Sequence, residues 1–214
     1  MTAQLVIGDY NKSSWSLRAW LVLVTAGVPF EVIQVALEQP HSREQILRYS
    51  PSGKVPVLLD DGLVINDSLA ICEYIASRHP EVPLWPADPR VKALAWAAVA
   101  QMHSGFEHLR TQLSFGLSTG DSAPALTVAT EVEIQRIFTL WRQLRASSGS
   151  TAFLCGAFGI VDAMYAPVVF RLRRFGIPIP ADLQDYSTQI LDYAPIGRWL
   201  ALASTEHGGS HVQS

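Results

Sequence analysis

Charge is sparse in this chain. Charged residues make up 16% against 49% apolar ones, and the net charge is −3. So apolar a composition excludes intrinsic disorder. Basic residues never cluster more densely than at Arg171, Arg173 and Arg174, which argues against a nucleic-acid partner. Cysteine is scarce as well. Cys72 and Cys155 stand far apart in apolar runs, with no C-x-x-C pair, so each reads as a small buried hydrophobe. No apolar run reaches the roughly 18 residues of a membrane span, so no membrane helix is expected. The N-terminus lacks the basic-then-apolar pattern of a signal peptide, which leaves the cytoplasm as the expected compartment. The six histidines (41, 79, 103, 108, 207 and 211) show no ligand spacing with acidic neighbours, and no metal is expected.

At 214 residues the chain has room for one large domain or two small ones. Gln4 to Ile7 reads as a strand, Gly8 to Ser14 as a loop and Trp15 to Ala26 as a helix closed by Gly27. Val32 to Val35 reads as a second strand, and residues 42–49 as a turn or two of exposed helix. Residues 80–90 hold four prolines, so no helix or central strand fits there and a linker is predicted. Beyond it everything reads as helix. Apolar residues from Val91 to Leu113 step by three and four, predicting one long amphipathic helix. A loop over 114–125 and a second long helix through Leu144 come next, broken at 147–150. Ile160 to Phe175 is apolar on nearly every side and predicts a central buried helix, with Pro167 a kink or restart. One last helix is predicted from Tyr186 to Ala203, interrupted near Pro195, with a frayed tail beyond Ser204.

Residues 54–79, KVPVLLDDGLVINDSLAICEYIASRH, are the most informative stretch. Val57 to Leu59 and Leu63 to Ile65 are two short strands joined by the Asp-Gly signal of a tight hairpin. Asn66, Asp67 and Ser68 stand where a helix N-cap belongs, just ahead of the helical series from Leu69. Pro56 sits at a strand's first residue, a position that tolerates the missing N–H. A cis bond to Val55 is the alternative reading.

This ordered string resembles the glutathione-binding half of the thioredoxin-like domain in cytosolic glutathione S-transferases: Val-Pro-x-Leu, a hairpin, then an acidic residue and Ser opening a helix. The resemblance implies an α/β thioredoxin-like N-terminal domain (1–79), a linker (80–90) and an all-α substrate-binding C-terminal domain (91–214). It implies that Val55 pairs with the cysteinyl backbone of glutathione, with Pro56 cis, and that Asp67 and Ser68 hold the γ-glutamyl end. An ammonium suits the Asp67 carboxylate; a carboxylate suits the Ser68 hydroxyl and the N–H groups of a helix start. Lys54 is the candidate for the glycyl carboxylate, and the loop around Pro40 and His41 lies near that end. The segment FLCGAFGIVDAMYAPVVF resembles the family's Gly-x-x-Ser/Thr-x-x-Asp capping box, with Gly156, Gly159 and Asp162 in the three positions. Gly159 stands where the family has Ser or Thr.

The same family places its reactive loop after the first strand. Here the run SSWSLRAWLVL is similar to the zeta-like Ser-Ser-Cys-x-x-Arg signature, with Trp15 in place of the Cys. Ser13 then takes the place of the catalytic serine, Ser14 stands beside it, and Tyr10 competes as an end-of-strand tyrosine; Asn11 is a further option. Arg18 is expected to brace structure. Met102, His103 and Phe106 are the candidates to line the site of the second substrate, between that loop and the helix from Val91. The resemblance thus implies a homodimeric transferase that arms glutathione for attack on a hydrophobic electrophile, a role in detoxification. Two other readings stand beside it: a glutathione-dependent cis-trans isomerase of the maleylacetoacetate type, and a non-catalytic binding protein on the same scaffold. A glutaredoxin-like role is disfavoured, because no cysteine opens the first helix.

Overall fold

The computed structural model describes residues 2–206, so His207, His211 and most of the tail expected to fray lie outside the described residues. The chain divides into two units. One combines the N-terminal residues through Pro80 with the last helix from Ala194, and the other spans Glu81–Tyr193.

The first unit is built on a four-stranded sheet in the order β2-β1-β3-β4. The strands are β1 (Ala3–Ile7), β2 (Phe30–Gln34), β3 (Val57–Asp60) and β4 (Leu63–Asn66). Helix α1 (Ser14–Thr25) connects β1 to β2 as a crossover, which makes that pair parallel. β3 runs antiparallel to β1, and β4 antiparallel to β3. The two-residue turn at Asp61 and Gly62 has φ values of 46° and 80°, the left-handed pair that a tight hairpin twist demands. A short helix α2 (Ser42–Leu47) comes after β2, and α3 (Ser68–Arg78) after β4. Val6, Val35, Ile46 and Val57 form one apolar cluster, while Leu17, Trp20, Leu21, Ile71 and Ile75 are also buried. The thioredoxin-like layer expected from the sequence is present.

The second unit is helical: α4 (Pro89–Ser104), α5 (Glu107–Gln112), α6 (Val128–Ser148), α7 (Ile160–Arg174) and α8 (Gln184–Asp192), with a 3-10 turn at Ala181–Leu183. The single long helix expected from Val91 to Leu113 is two. Gly105 closes α4 by donating its N–H to the Gln101 carbonyl, and Phe106 turns left-handed at φ 54°. The carboxylate of Glu133, on α6, then caps α5 by accepting from His108 and Leu109 N–H at 3.4 and 2.7 Å. A cap supplied from 24 residues away leaves no trace in apolar periodicity. Pro167 sits within α7, which runs on as one element. The interruption expected near Pro195 in the last helix falls at Tyr193, which is extended between α8 and α9 (Ala194–Glu206). α9 belongs with the first unit, so the helical unit ends before the expected 214.

The capping box reads as the sequence suggested, with a reason for its glycine. Asp162 accepts from the Leu154 and Gly159 N–H groups, each at 3.0 Å. Ile160 donates to the Leu84 carbonyl, and a Cβ on residue 159 would lie 2.6 Å from that same oxygen. A Ser or Thr there would collide with backbone, so close approach requires the glycine. Burial pushes the Asp162 carboxyl up from 3.8 to about 7, against the lowering effect of its two N–H donors. The folded chain thus holds that proton more tightly than the unfolded one. Its contribution to stability is complete below the ordinary carboxylate range and is lost as pH rises through about 7. The thermal midpoint is therefore expected to fall between about pH 5 and pH 8; a midpoint that rises or stays level across that window in calorimetry would show Asp162 ionised throughout.

Candidate active site

Strand direction gathers the predicted residues. β3 is antiparallel to β1 with Val6 opposite Val57, so Val55 and Pro56 sit beside the end of β1 and the loop beyond it. β4 is antiparallel to β3 with Asn66 opposite Val57, which delivers Asp67 and Ser68 to the same edge. β2 is parallel to β1, so the loop carrying Pro40 and His41 leaves from that edge too. Ligands of open α/β sheets gather at such an edge.

At the end of β1, Asp9 accepts the backbone N–H of Leu37 at 2.7 Å through its side chain, while its carbonyl takes the N–H groups of Lys12 and Ser13. This turns the chain into α1. Ser13 is the N-cap: its Oγ accepts from Ser16 N–H at 3.2 Å and lies 2.7 Å from Ser16 Oγ. Ser16 Oγ in turn accepts the Gly8 N–H at 3.1 Å. Ser13, Ser14 and Ser16 are all buried. Ser16 was missed from the sequence, although its spacing of three from Ser13 at a helix start is the signal that pairs a cap with the next turn.

Tyr10 is differently placed. Its ring packs edge-on against Trp199 with centroids 4.5 Å apart, and it is 6% exposed. Burial, with Glu206 nearby, raises its hydroxyl above the ordinary phenol value. Asn11 directs its side-chain amide to Glu206 at 3.1 Å. Trp15 lies under the Arg18 guanidinium, 4.0 Å from the ring centroid, and Arg18 is buried as a bracing residue should be.

The Val55-Pro56 bond is cis, as the resemblance implied. Val55 precedes the β3 ladder, which starts at Val57. Asp67 is the N-cap of α3, accepting from Leu69 and Ala70 N–H at 2.8 and 3.2 Å. Its backbone is at φ 94°, a conformation an aspartate rarely adopts and one that clusters at ligand sites. Ser68 comes next, 2% exposed, and its buried Oγ has no hydrogen-bond partner in the described structure. A buried orphan hydroxyl at a helix start suits a carboxylate ligand. Lys54, just ahead of Val55, is exposed. His41 is also exposed and pairs with Glu44 at 3.4 Å. In the helical unit, Met102 and Phe106 belong to the core at 0% and 6% exposure, and only His103 of that trio is partly exposed.

Neither cysteine is armed. Burial pushes the Cys72 thiol far up and the Cys155 thiol to about 12. Among the described residues no three His, Cys, Asp or Glu side chains group to hold a metal, and no helix is long and apolar enough to cross a membrane.

A thioredoxin-like sheet with an acidic-Ser helix start after β4 and a serine cap on α1 is the arrangement that the resemblance to the glutathione transferases implied. The sequence profile of the glutathione S-transferase N-terminal domain matches residues 12–78. A probable maleylacetoacetate isomerase from Caenorhabditis elegans is 30% identical, the alignment covering 86% of this chain and 84% of the relative. A maleylacetoacetate isomerase from Rhizobium meliloti is 36% identical over 85% and 87%. In structure, a glutathione transferase homologue from Burkholderia GL BGR1, crystallised with bound glutathione, superposes with a TM-score of 0.72. It shares 21% identity over 96% of this chain and 100% of that one. The chain belongs to the glutathione S-transferase family, enzymes that use glutathione as cosubstrate.

Removing the Ser16 hydroxyl strips the buried Gly8 N–H of its acceptor and Ser13 Oγ of its neighbour. Ser16→Ala is therefore expected to cost about 1–3 kcal/mol of stability. Chemical denaturation reads this directly, and a change under about 0.5 kcal/mol would mean the Gly8 amide finds another acceptor.

Proposed function

We propose that this enzyme conjugates glutathione to an electrophilic, partly hydrophobic acceptor, with Ser13 as the hydroxyl that stabilises the thiolate. The observation that carries the reading is the place of Ser13 at the head of α1, its buried Oγ capping the helix beside Ser16 Oγ. Ser16 Oγ accepts from Gly8, and Ser13 Oγ accepts from Ser16 N–H. The Oγ–Oγ contact lets either hydroxyl donate, and the reading takes Ser16 as the donor. Ser13 then keeps its own proton for an incoming sulfur.

The energetics suffice. A cysteine thiol with pKa near 8.5 is only a few per cent ionised near neutrality. Bringing it down by about two units takes about 2.7 kcal/mol of differential stabilisation. One hydrogen bond to a charged acceptor supplies around 1.5–3 kcal/mol, and the positive end of α1 adds to it. Tyr10 is the weaker candidate, since its ring is packed on Trp199 and its raised hydroxyl is a poorer acid. Ser14, buried in the first turn, stands in reserve. Val55, Pro56, Asp67 and Ser68 hold the tripeptide in an extended pose, with Lys54 and the His41 loop toward its glycyl end. Of the proposed acceptor residues Met102, His103 and Phe106, the partly exposed His103 is the one with surface to offer.

A second reading has support in the relatives named maleylacetoacetate isomerase: glutathione-dependent cis-trans isomerisation of a diketo acid. Trp15, where the zeta-like signature has Cys, weighs against it.

Ser13→Ala should lose about 10²-fold or more in conjugating turnover while retention on immobilised glutathione persists. Unchanged turnover would move the role to Ser14 or Tyr10. Turnover of a cis-diketo acid in preference to a chlorinated aromatic acceptor would favour isomerisation. A homodimer is part of the same reading, and sedimentation should return twice the chain mass of 23.5 kDa; a monomer at micromolar concentration would remove it.

A further inference from the structure

The reactive loop is held from outside the thioredoxin-like sequence, by the last helix. Glu206, in the final described turn of α9, accepts from Tyr10 N–H at 2.6 Å with one oxygen and from Asn11 N–H at 3.4 Å with the other. The second oxygen also takes the Asn11 side-chain amide at 3.1 Å, and the first takes the Gln34 side chain at the end of β2. One turn back, Asn11 donates to the Ala203 carbonyl at 3.4 Å. A further turn back, Trp199 donates its indole N–H to the Tyr10 carbonyl at 3.1 Å. Its ring is fully buried between Tyr10 and Trp20, with centroids 4.5 and 5.4 Å away. Three successive turns of one helix thus satisfy both backbone groups of Tyr10 and the amide of Asn11.

Residues 9–13 are neither strand nor helix, so their amides find no ladder partner. Two residues after Asn11 comes the Ser13 cap. A loop whose backbone is pinned at Tyr10 and Asn11 presents Ser13 at a fixed height above β1. The same loop with that pin removed would leave the hydroxyl free to wander by the ångström that transition-state hydrogen bonds do not tolerate.

We propose that Glu206, with Trp199, is a positioning residue for thiol activation. It does not touch glutathione; it sets the loop that carries Ser13, and it rests on the reading of Ser13 given above. In this role the carboxylate is needed for its two acceptor oxygens, so a glutamine should serve in part and an alanine should not.

The test uses full-length protein as Glu206→Ala and Glu206→Gln, read by amide hydrogen exchange and by steady-state kinetics with glutathione and a chlorinated aromatic acceptor. In Glu206→Ala, exchange across residues 9–13 should rise about tenfold or more while β1 and β3 stay within about twofold of wild type. Its kcat should fall about tenfold with KM for glutathione within about twofold, the pattern of a lost transition-state contact. Glu206→Gln should fall between the two on both measures. Unchanged exchange in the loop would overturn the pin. So would kcat, KM and thermal midpoint all moving together, since that marks general loosening rather than positioning. If wild-type protein shows no glutathione-dependent turnover with any acceptor, the proposed activity falls, and the exchange data alone decide whether Glu206 holds the loop.

Discussion

A single hydroxyl joins the first strand to the first helix. Ser16 Oγ takes the Gly8 amide at the point where β1 runs out of ladder partners, and it lies against the oxygen that caps α1. The bond is small, yet it decides where the helix begins relative to the sheet. Because β3 and β4 are both antiparallel to their neighbours, their near ends meet the same edge. The site is therefore a product of strand direction. Three segments distant in sequence arrive at one place without any of them having to reach.

That edge collects groups that would be liabilities elsewhere. Asp67 sits at positive φ, a conformation costing of order 1–3 kcal/mol, which its two bonds to the start of α3 help to offset. Ser68 buries a hydroxyl with no partner, another cost of about 1–3 kcal/mol. Two such penalties at adjacent residues, both at a helix N-terminus, are hard to account for by folding alone. A γ-glutamyl group would relieve them. In the reading proposed above its carboxylate meets the orphan hydroxyl at the helix start, and its ammonium meets Asp67.

The legible parts of this chain are those in which neighbours in sequence are neighbours in space. Asp61-Gly62 forces a tight hairpin, Asp67 caps the helix that starts at Ser68, and four prolines stop any helix from crossing 80–90. The parts that escape reading depend on distant partners. The apolar stepping from Val91 to Leu113 does not break at Gly105; the break comes from Phe106 turning left-handed and from Glu133 capping the new helix start. The amphipathic pattern of α9 says that one face is buried, not that the face is Trp199 against Tyr10 and Trp20. Gly159 looks like a weakened cap in sequence because Leu84, whose carbonyl leaves no room for a side chain, is far away along the chain. Met102 and Phe106 look like a wall for a substrate on the strength of spacing, and spacing serves a core equally well.

Trp15 bears on the chemistry this site supports. Where the zeta-like signature has a cysteine, this chain has an indole with the buried Arg18 guanidinium over it, 4.0 Å from the ring centre. A thiol at that position would stand two residues beyond the Ser13 cap, beside a cation that favours its anion. The indole supplies neither nucleophile nor proton acceptor, and the thiols of buried Cys72 and half-buried Cys155 are both pushed up. In the proposed reading the sulfur that reacts comes from the bound tripeptide. On that reading the protein's part is the work of a hydroxyl and a helix end: lower the free energy of that sulfur as an anion, and hold it still.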